Sequence, residues 1–411
     1  MIPLGAHHIE KYSIRNLRIA ILNSIGTFLK FHLKLSPEGI KQHLKDRSGL
    51  PDYDAGPDRA IKESVAWICL AQDNSISHDG GVAHRYSLLD EWGASYPETT
   101  GYIVPTIIEY ANNKKDEQLL KRAEVMLDWL ASIQLKKGGF SAGQVGSEQK
   151  APVSFNTGQI LLGFVAGVRQ FGEKYIEPMR RAADWLVRAQ DSDGCWRAFP
   201  SPYAVSGDKT YDTHIAWSLL EAAKIEPRKK YVEAGLSNVR WAFRSQRDNG
   251  WFANCCVLDP SRPLTHTLGY VFRGIVEAYQ FTKDSNLLVA CQKIAEGLLS
   301  AIQDDGYIPG RLFSNWKAAV SWACLTGSVQ IAICWFKMYQ ITGKIAYRDA
   351  ACAANQYVRR TMRIKGLPEM KGAIGGSFPI YGGYCQYAYP NWACKFSIDS
   401  NLLEKQINEL Q

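Results

Sequence analysis

Glu98, Asp212, His214 and His266 carry proton-moving side chains, and each stands within two residues of a threonine that opens an apolar segment. Tyr384 adds a fifth, inside a Gly- and Tyr-rich run near the end of the chain. Two kinds of chemistry suit this set. In hydrolysis, Glu98 and Asp212 would form a carboxyl pair, one protonating a leaving oxygen while the other activates water or attacks. In elimination or C5 epimerisation, His214, His266 or Tyr384 would move the α-proton while Arg or Asn steadies the enolate-like charge. A structural account stands beside each. The two acids could cap helices, the two histidines could be core polar groups, and the tyrosines could seal the fold.

The segments around them are rich in aromatic and polar side chains. Asp79, His84, Arg85, Tyr86, Trp92 and Tyr96 precede the first threonine, and Asn156 precedes the second. Trp196, Tyr203 and Tyr211 follow, then Trp251 and Arg262, then Arg311 and Trp316. The last run holds Tyr381, Tyr387, Tyr389, Asn391 and Trp392. Flat rings can cover the C–H face of a pyranose while polar groups meet its hydroxyls. Arg85, Arg262 and Arg311 would pair with the carboxylates of acidic sugars. The expected partner is therefore an oligosaccharide or polysaccharide.

A repeat determines which elements position these residues. Gln134-Leu-Lys-Lys-Gly138-Gly-Phe140, Gln190-Asp-Ser-Asp-Gly194-Cys-Trp196 and Gln246-Arg-Asp-Asn-Gly250-Trp-Phe252 share one pattern, with looser copies at Gln72 and Gln303. The period accommodates two helices and two connections, which predicts stacked helical hairpins. In phase with it run Thr100-Gly101, Thr157-Gly158, Thr213-His214, Thr265-His266 and Thr326-Gly327, each opening an inner helix that the Thr or the residue before it is expected to cap. Alternate segments such as 119–133 have apolar residues three and four apart with one polar face, and belong outside. Inner-to-outer links are short; outer-to-inner links are long and carry the residues above. Long loops gathered at one end of a rigid stack build binding sites. The same end presents the N-termini of the inner helices, which favour anions.

Composition sets the remaining bounds. The chain has 411 residues, 46% apolar, with 12 Trp, enough for one large core. It shows no apolar stretch long enough for a transmembrane helix and no secretory pattern. Ten cysteines lie mostly within apolar segments without a Cys-x-x-Cys, which predicts buried free thiols and a cytoplasmic protein. Net charge is +8, with scattered basic residues and no recognition motif, so nucleic-acid binding is not expected. Residues 15–34 form a basic amphipathic stretch that would pack across one end of the stack or lie peripherally on the inner membrane. The expected division is an extension over 1–58 and a catalytic domain over 59–411. Neither a phosphate loop nor a dinucleotide fingerprint is present, the histidines are dispersed, and no cofactor or metal is expected.

With its Gln/Gly/aromatic repeats over roughly residues 60–400, the chain resembles the α/α-toroid group. That group includes triterpene cyclases, prenyltransferases, six-hairpin glycosidases, uronyl hydrolases and related lyases and epimerases. The resemblance implies an all-α toroid of about six hairpins. Locally, segments 95–105, 375–384 and 389–399 look like parts of uncharacterised bacterial proteins associated with surface-polysaccharide synthesis, which implies a glycan substrate. An Asp-x-Asp-Asp acid motif of triterpene cyclases is missing, as are a prenyltransferase zinc set and a lanthipeptide-cyclase Cys/His arrangement. A hydrolase, lyase or uronyl epimerase acting on acidic saccharides is the leading expectation. A non-catalytic glycan-binding protein and a cyclase acting on an isoprenoid or lipid-linked substrate are the alternatives.

Overall fold

The structure is a computed structural model that describes residues 34–146 and 151–409. Its helices are α1 (Pro37–Arg47), α2 (Pro57–Asp73), α3 (Pro97–Lys114), α4 (Glu117–Ile133), α5 (Ser154–Phe171), α6 (Ile176–Ala189) and α7 (Thr213–Ile225). Then follow α8 (Lys229–Phe243), α9 (Thr265–Thr282), α10 (Ser285–Leu299), α11 (Leu325–Thr342), α12 (Ile345–Thr361) and α13 (Asn391–Glu409). Odd-numbered helices from α3 to α13 pack side by side as an inner ring, and α13 returns to touch α3. Even-numbered helices from α2 to α12 form the outer ring. The fold is an all-α, six-hairpin α/α toroid, and its sixth hairpin pairs the last helix, α13, with the first outer one, α2.

Side-chain patterning accounts for the two rings. In α6 the buried residues Met179, Ala182, Ala183, Trp185, Leu186 and Ala189 make a single stripe, as a helix with one wet face requires. α5 buries nearly every residue from Asn156 to Val165, because it has neighbours on both flanks and a partner behind. Inner helices approach closely at glycines: a Cβ on Gly101 would come within 2.5 Å of the Ile160 Cα.

The recurring glutamines are staples between hairpins. Gln134 Nε2 donates to its own turn at Gly138 O (2.9 Å) and to the next outer helix at Pro178 O (3.0 Å). Gln190 does the same with Gly194 and Ala234, and Gln246 with Gly250 and Ala290. The turn glycine sits at positive φ, +85° for Gly250, and a Cβ there would lie 2.3 Å from Lys293 O. Only glycine meets both demands. The aromatic residue of each motif is wedged behind the turn, with Phe140, Trp196 and Phe252 all buried.

Three details differ from the sequence reading. The fifth copy is shifted by one, since Gln303 N bonds Tyr307 O as Leu135 N bonds Gly139 O, which puts Ile302 in the stapling position. A sixth copy lies in a longer link, where Gly372 N bonds Arg363 O and the turn abuts Glu63 of α2. The threonines do not cap. α3 and α5 begin earlier, at Pro97 and Ser154, without side-chain caps. Thr100 and Thr157 instead accept N–H bonds from Val82 and Phe140, so each hydroxyl ties the incoming long link to its helix.

Short strands brace the long links at one pole. β1 (Arg85–Ser87) pairs with β2 (Glu91–Trp92) and with β5 (Ala388–Pro390), and β3 (Ala323–Cys324) pairs with β4 (Ser377–Phe378), all antiparallel. The segment before α2 is bolted to the ring. His43 Nδ1 lies 2.8 Å from Tyr387 Oη, Asp46 accepts from Ile380 N, and Asp54 pairs with Arg359, which also holds Glu404. The basic amphipathic stretch, but for Lys34, lies outside the described residues. No described helix is long and apolar enough to cross a membrane. All ten cysteines are free thiols, seven of them buried.

Candidate functional site

Links of the long kind deliver most of the chemistry-bearing residues to the pole where the inner helices begin, and a chain of ring contacts runs around the axis there. His84 packs against Tyr96 (4.7 Å between centroids) and Trp392 (4.9 Å). Trp392 Nε1 donates to Tyr384 Oη at 2.9 Å, and Tyr384 lies 5.5 Å from His266. Tyr270 contacts His266 and His214, each at 4.6 Å, and Phe155 at 5.1 Å. Phe155 in turn meets Tyr211 edge-on. His84, Tyr96, Glu98, Phe155, His266 and Tyr384 keep partial exposure on helices and links whose other inward side chains are sealed. Together they form a partly exposed basin with aromatic walls.

Glu98 stands in the first turn of α3 and forms no hydrogen bond or ion pair among the described residues. Burial alone raises its pKa from 4.5 to about 8. It keeps some contact with solvent although protein encloses most of it, as befits a group on a basin floor. At neutral pH it carries its proton, the state a general acid needs. Asp212 is also raised, by burial opposed by Lys209, and its charge acts on Tyr211 and Cys195. Tyr211 feels the charge of both acids, while neither acid shifts the other. The two therefore do not behave as a coupled pair.

Each histidine is held by a glutamine on a neighbouring helix. His214 Nδ1 is 2.7 Å from Gln159 Oε1, and His266 Nδ1 is 2.7 Å from Gln330 Oε1. With the amide oxygen accepting, Nδ1 carries the proton and Nε2 keeps a lone pair. Burial lowers both pKa values, that of His266 to about 4 despite the bond it donates to Gln330, so both rings are neutral bases. Burial also holds His84 at about 3, and its Nδ1 has no partner. Asn156 adjoins Tyr96 and favours its ionised hydroxyl, while Gln159 Nε2 and Ser154 Oγ have no hydrogen-bond partner among the described residues. Buried polar atoms without partners are uncommon in folded proteins, and a bound saccharide would satisfy them.

Other candidates lie elsewhere. Trp196 donates to Leu186 O within the wall, and Trp316 donates to Asn249 O against Trp251. Arg262 pairs with Asp259 at 2.7 Å, and Arg311 donates to Arg262 O. Asp79 braces its own link through Gly81 N and Ser95 Oγ. Tyr86 packs on Trp92 along β1, beside Arg85, whose guanidinium is 3.8 Å from Asp90. Tyr387 meets His43, and Asn391 donates to Ala83 O with its own Oδ1 unpaired. Phe155, Tyr270, Gln159 and Gln330 were missed. Tyr270 lies one helical turn beyond His266, and that spacing was the available signal. Among the described residues no three His, Cys, Asp or Glu side chains converge as metal ligands.

Fold and basin together define an α/α toroid with an open, aromatic, proton-bearing pole. No protein-family model and no curated protein matches the chain. Solved structures do. An unsaturated glucuronyl hydrolase specific for heparin superposes with a TM-score of 0.70 at 14% identity, over 86% of this chain and 98% of that one. The unsaturated glucuronyl hydrolase of Bacillus sp. GL1, described as responsible for the degradation of glycosaminoglycan, gives 0.67 at 14%, over 84% and 96%. The unsaturated glucuronyl hydrolase of Streptococcus agalactiae gives 0.61 at 11%, over 90% and 96%. At such identities the likeness is one of fold.

Proposed function

We propose that this protein is a carbohydrate-active enzyme of the glycoside hydrolase type, acting on an acidic oligosaccharide in bacterial surface-polysaccharide metabolism. One observation carries the reading: Glu98 has no hydrogen-bond or ion-pair partner among the described residues, and burial raises its pKa to about 8, so that it holds its proton at neutral pH. Glu98 donates its proton to the saccharide. His266 or His214, neutral and fixed by glutamine, accepts a proton from water on the other side. Tyr96, Phe155 and Tyr384 cover the sugar's apolar face, and the first turns of the inner helices favour its carboxylate.

The comparison supports the substrate class. One similar structure holds dGlcA-Glc-Rha-Glc, and a mutant of the S. agalactiae enzyme holds dGlcA-GalNAc6S. The test is an incubation with saturated and unsaturated glucuronyl oligosaccharides, followed by mass spectrometry. Release of the uronyl unit with uptake of water supports hydrolysis. A product isomeric with the substrate would replace it by epimerisation, and a new double bond without water uptake by elimination. Unchanged saccharides throughout would refute the reading.

A further inference from the structure

The helix α1 is amphipathic the wrong way round. The side chains it buries against the ring are polar, Gln42, His43 and Asp46, and they hold it there: Gln42 Nε2 donates to Asp46, His43 meets Tyr387, and Asp46 accepts from Ile380 N. Its aliphatic side chains point outward, with Ile40 36% and Leu44 57% exposed. A helix that only packs on a core does the reverse. We propose that this outward face docks on an anionic lipid surface. The proposal does not depend on the reaction assigned to the basin.

The pattern of the face is the first argument. Ile40 and Leu44 lie four apart on one stripe, which Arg47 continues, and Lys41 and Lys45 run beside it. All three cations are exposed, and the one acid of α1 besides the buried Asp46 is Glu38, which pairs with Lys41 at 2.6 Å. Aliphatic residues flanked by cations make an interfacial helix. The sequence leading into α1 extends the pattern: Lys11, Arg15, Arg18, Lys30 and Lys34 are basic, and no Asp or Glu occurs from Lys11 to Pro37. Each cation held near anionic headgroups adds to the attraction. Two aliphatic side chains are too few for a stable protein interface, which buries about 1,200–2,000 Å2 in total.

Placement is the second. Ser36 N donates to Leu88 O and Leu88 N to Tyr387 O, so α1 is fastened to the links that carry His84 and Tyr384 into the basin. At that pole each of the six long links exposes a large apolar side chain: Ile76, Val145, Tyr203, Leu258, Phe313 and Leu367. Among the described residues the short links expose none. Single exposed apolar residues are ordinary on a protein surface. One on every link of one end is a one-sided distribution, as a face turned toward a bilayer requires.

The experiment is flotation of the full chain with vesicles of phosphatidylcholine alone and of phosphatidylcholine mixed with phosphatidylglycerol. It is run on wild type, Ile40→Gln/Leu44→Gln and Lys41→Gln/Lys45→Gln, with urea unfolding and analytical sedimentation of each protein without lipid. Flotation of wild type with the anionic vesicles, weakened by raised salt and weakened severalfold in both double variants while their urea midpoints stay at the wild-type value, supports the surface. No flotation of wild type, or equal flotation with both vesicles, would overturn it. Equal flotation of wild type and Ile40→Gln/Leu44→Gln would place the lipid contact on another segment and likewise overturn it. A lowered urea midpoint in that variant would mean that the chain itself covers the face, and a wild-type dimer that the variant loses would mean that a second copy does; either result overturns the proposal.

Discussion

Replacing Glu98 by glutamine should abolish turnover and make the protein more stable. The folded state holds the Glu98 proton more tightly than the unfolded chain, with a pKa of about 8 against 4.5. Its contribution to stability is therefore complete below pH 4.5, declines as pH rises, and is fully lost above about pH 8. A shift of roughly 3.5 units at about 1.4 kcal/mol each gives at most about 5 kcal/mol. Residual contact with water trims the difference accumulated between pH 5 and pH 8 to about 2–4 kcal/mol. Glutamine is neutral throughout and is spared that loss. Urea unfolding of both proteins at pH 5, 6, 7 and 8 should show near-equal stability at pH 5 and a widening gap in favour of the variant. Asp212 also titrates in the folded state, but it is present in both proteins and cancels. Parallel stability curves would falsify the protonated-acid argument. Wild-type activity in the variant would remove Glu98 from the chemistry.

Further outcomes follow from the same contacts. Gly250→Ala should cost more than about 2 kcal/mol in urea unfolding, because positive φ is joined by a collision with Lys293 O; Gly146→Ala, with positive φ but open space, should cost about 1 kcal/mol. Gln190→Leu removes both staples to Gly194 O and Ala234 O and should destabilise by about 2–4 kcal/mol, with activity per folded molecule retained. Arg359→Met strands Asp54 and Glu404 and should cost about 3–5 kcal/mol at pH 7, and less in acid, where Asp54, held below its usual carboxylate range in the wild type, takes up its proton and its contribution is lost. In the presence of an acidic oligosaccharide, footprinting should protect Tyr384 and His266 and leave Tyr203 at the exposed edge more reactive; equal protection would mean that the basin is not where saccharide binds.

How legible each feature was depended on whether one residue type has one use in that setting. The stapled turn is a small rigid object in which Gln, Gly and the aromatic each satisfy a separate constraint, so Gln134, Gln190 and Gln246 announced the hairpins. The copy at Met362–Gly372 was hidden because a longer link separates its ends and no glutamine marks it. Aromatic residues are ambiguous by nature. Trp196 and Trp316 read like sugar platforms, yet they are wedges, since the same ring fills a wall or covers a pyranose and only burial separates the uses. Asp212 follows a similar logic: it immediately precedes α7, yet it is buried and makes no side-chain cap there. Gln159 and Gln330 were invisible because a lone polar residue in an apolar helix gives no sign of the histidine it will meet from another repeat.

The pairing of α13 with α2 has a consequence for how the molecule comes into being. During vectorial synthesis α2 is made long before α13, so its buried stripe lacks its main helical partner until the other five hairpins have been made. The first outer helix must wait, exposed, for the last one to arrive, like a belt whose buckle is threaded at the end. A cell making this protein has to shield that stripe for the length of a translation cycle, and a premature stop before α13 yields an arc with two sticky edges, prone to find each other between molecules.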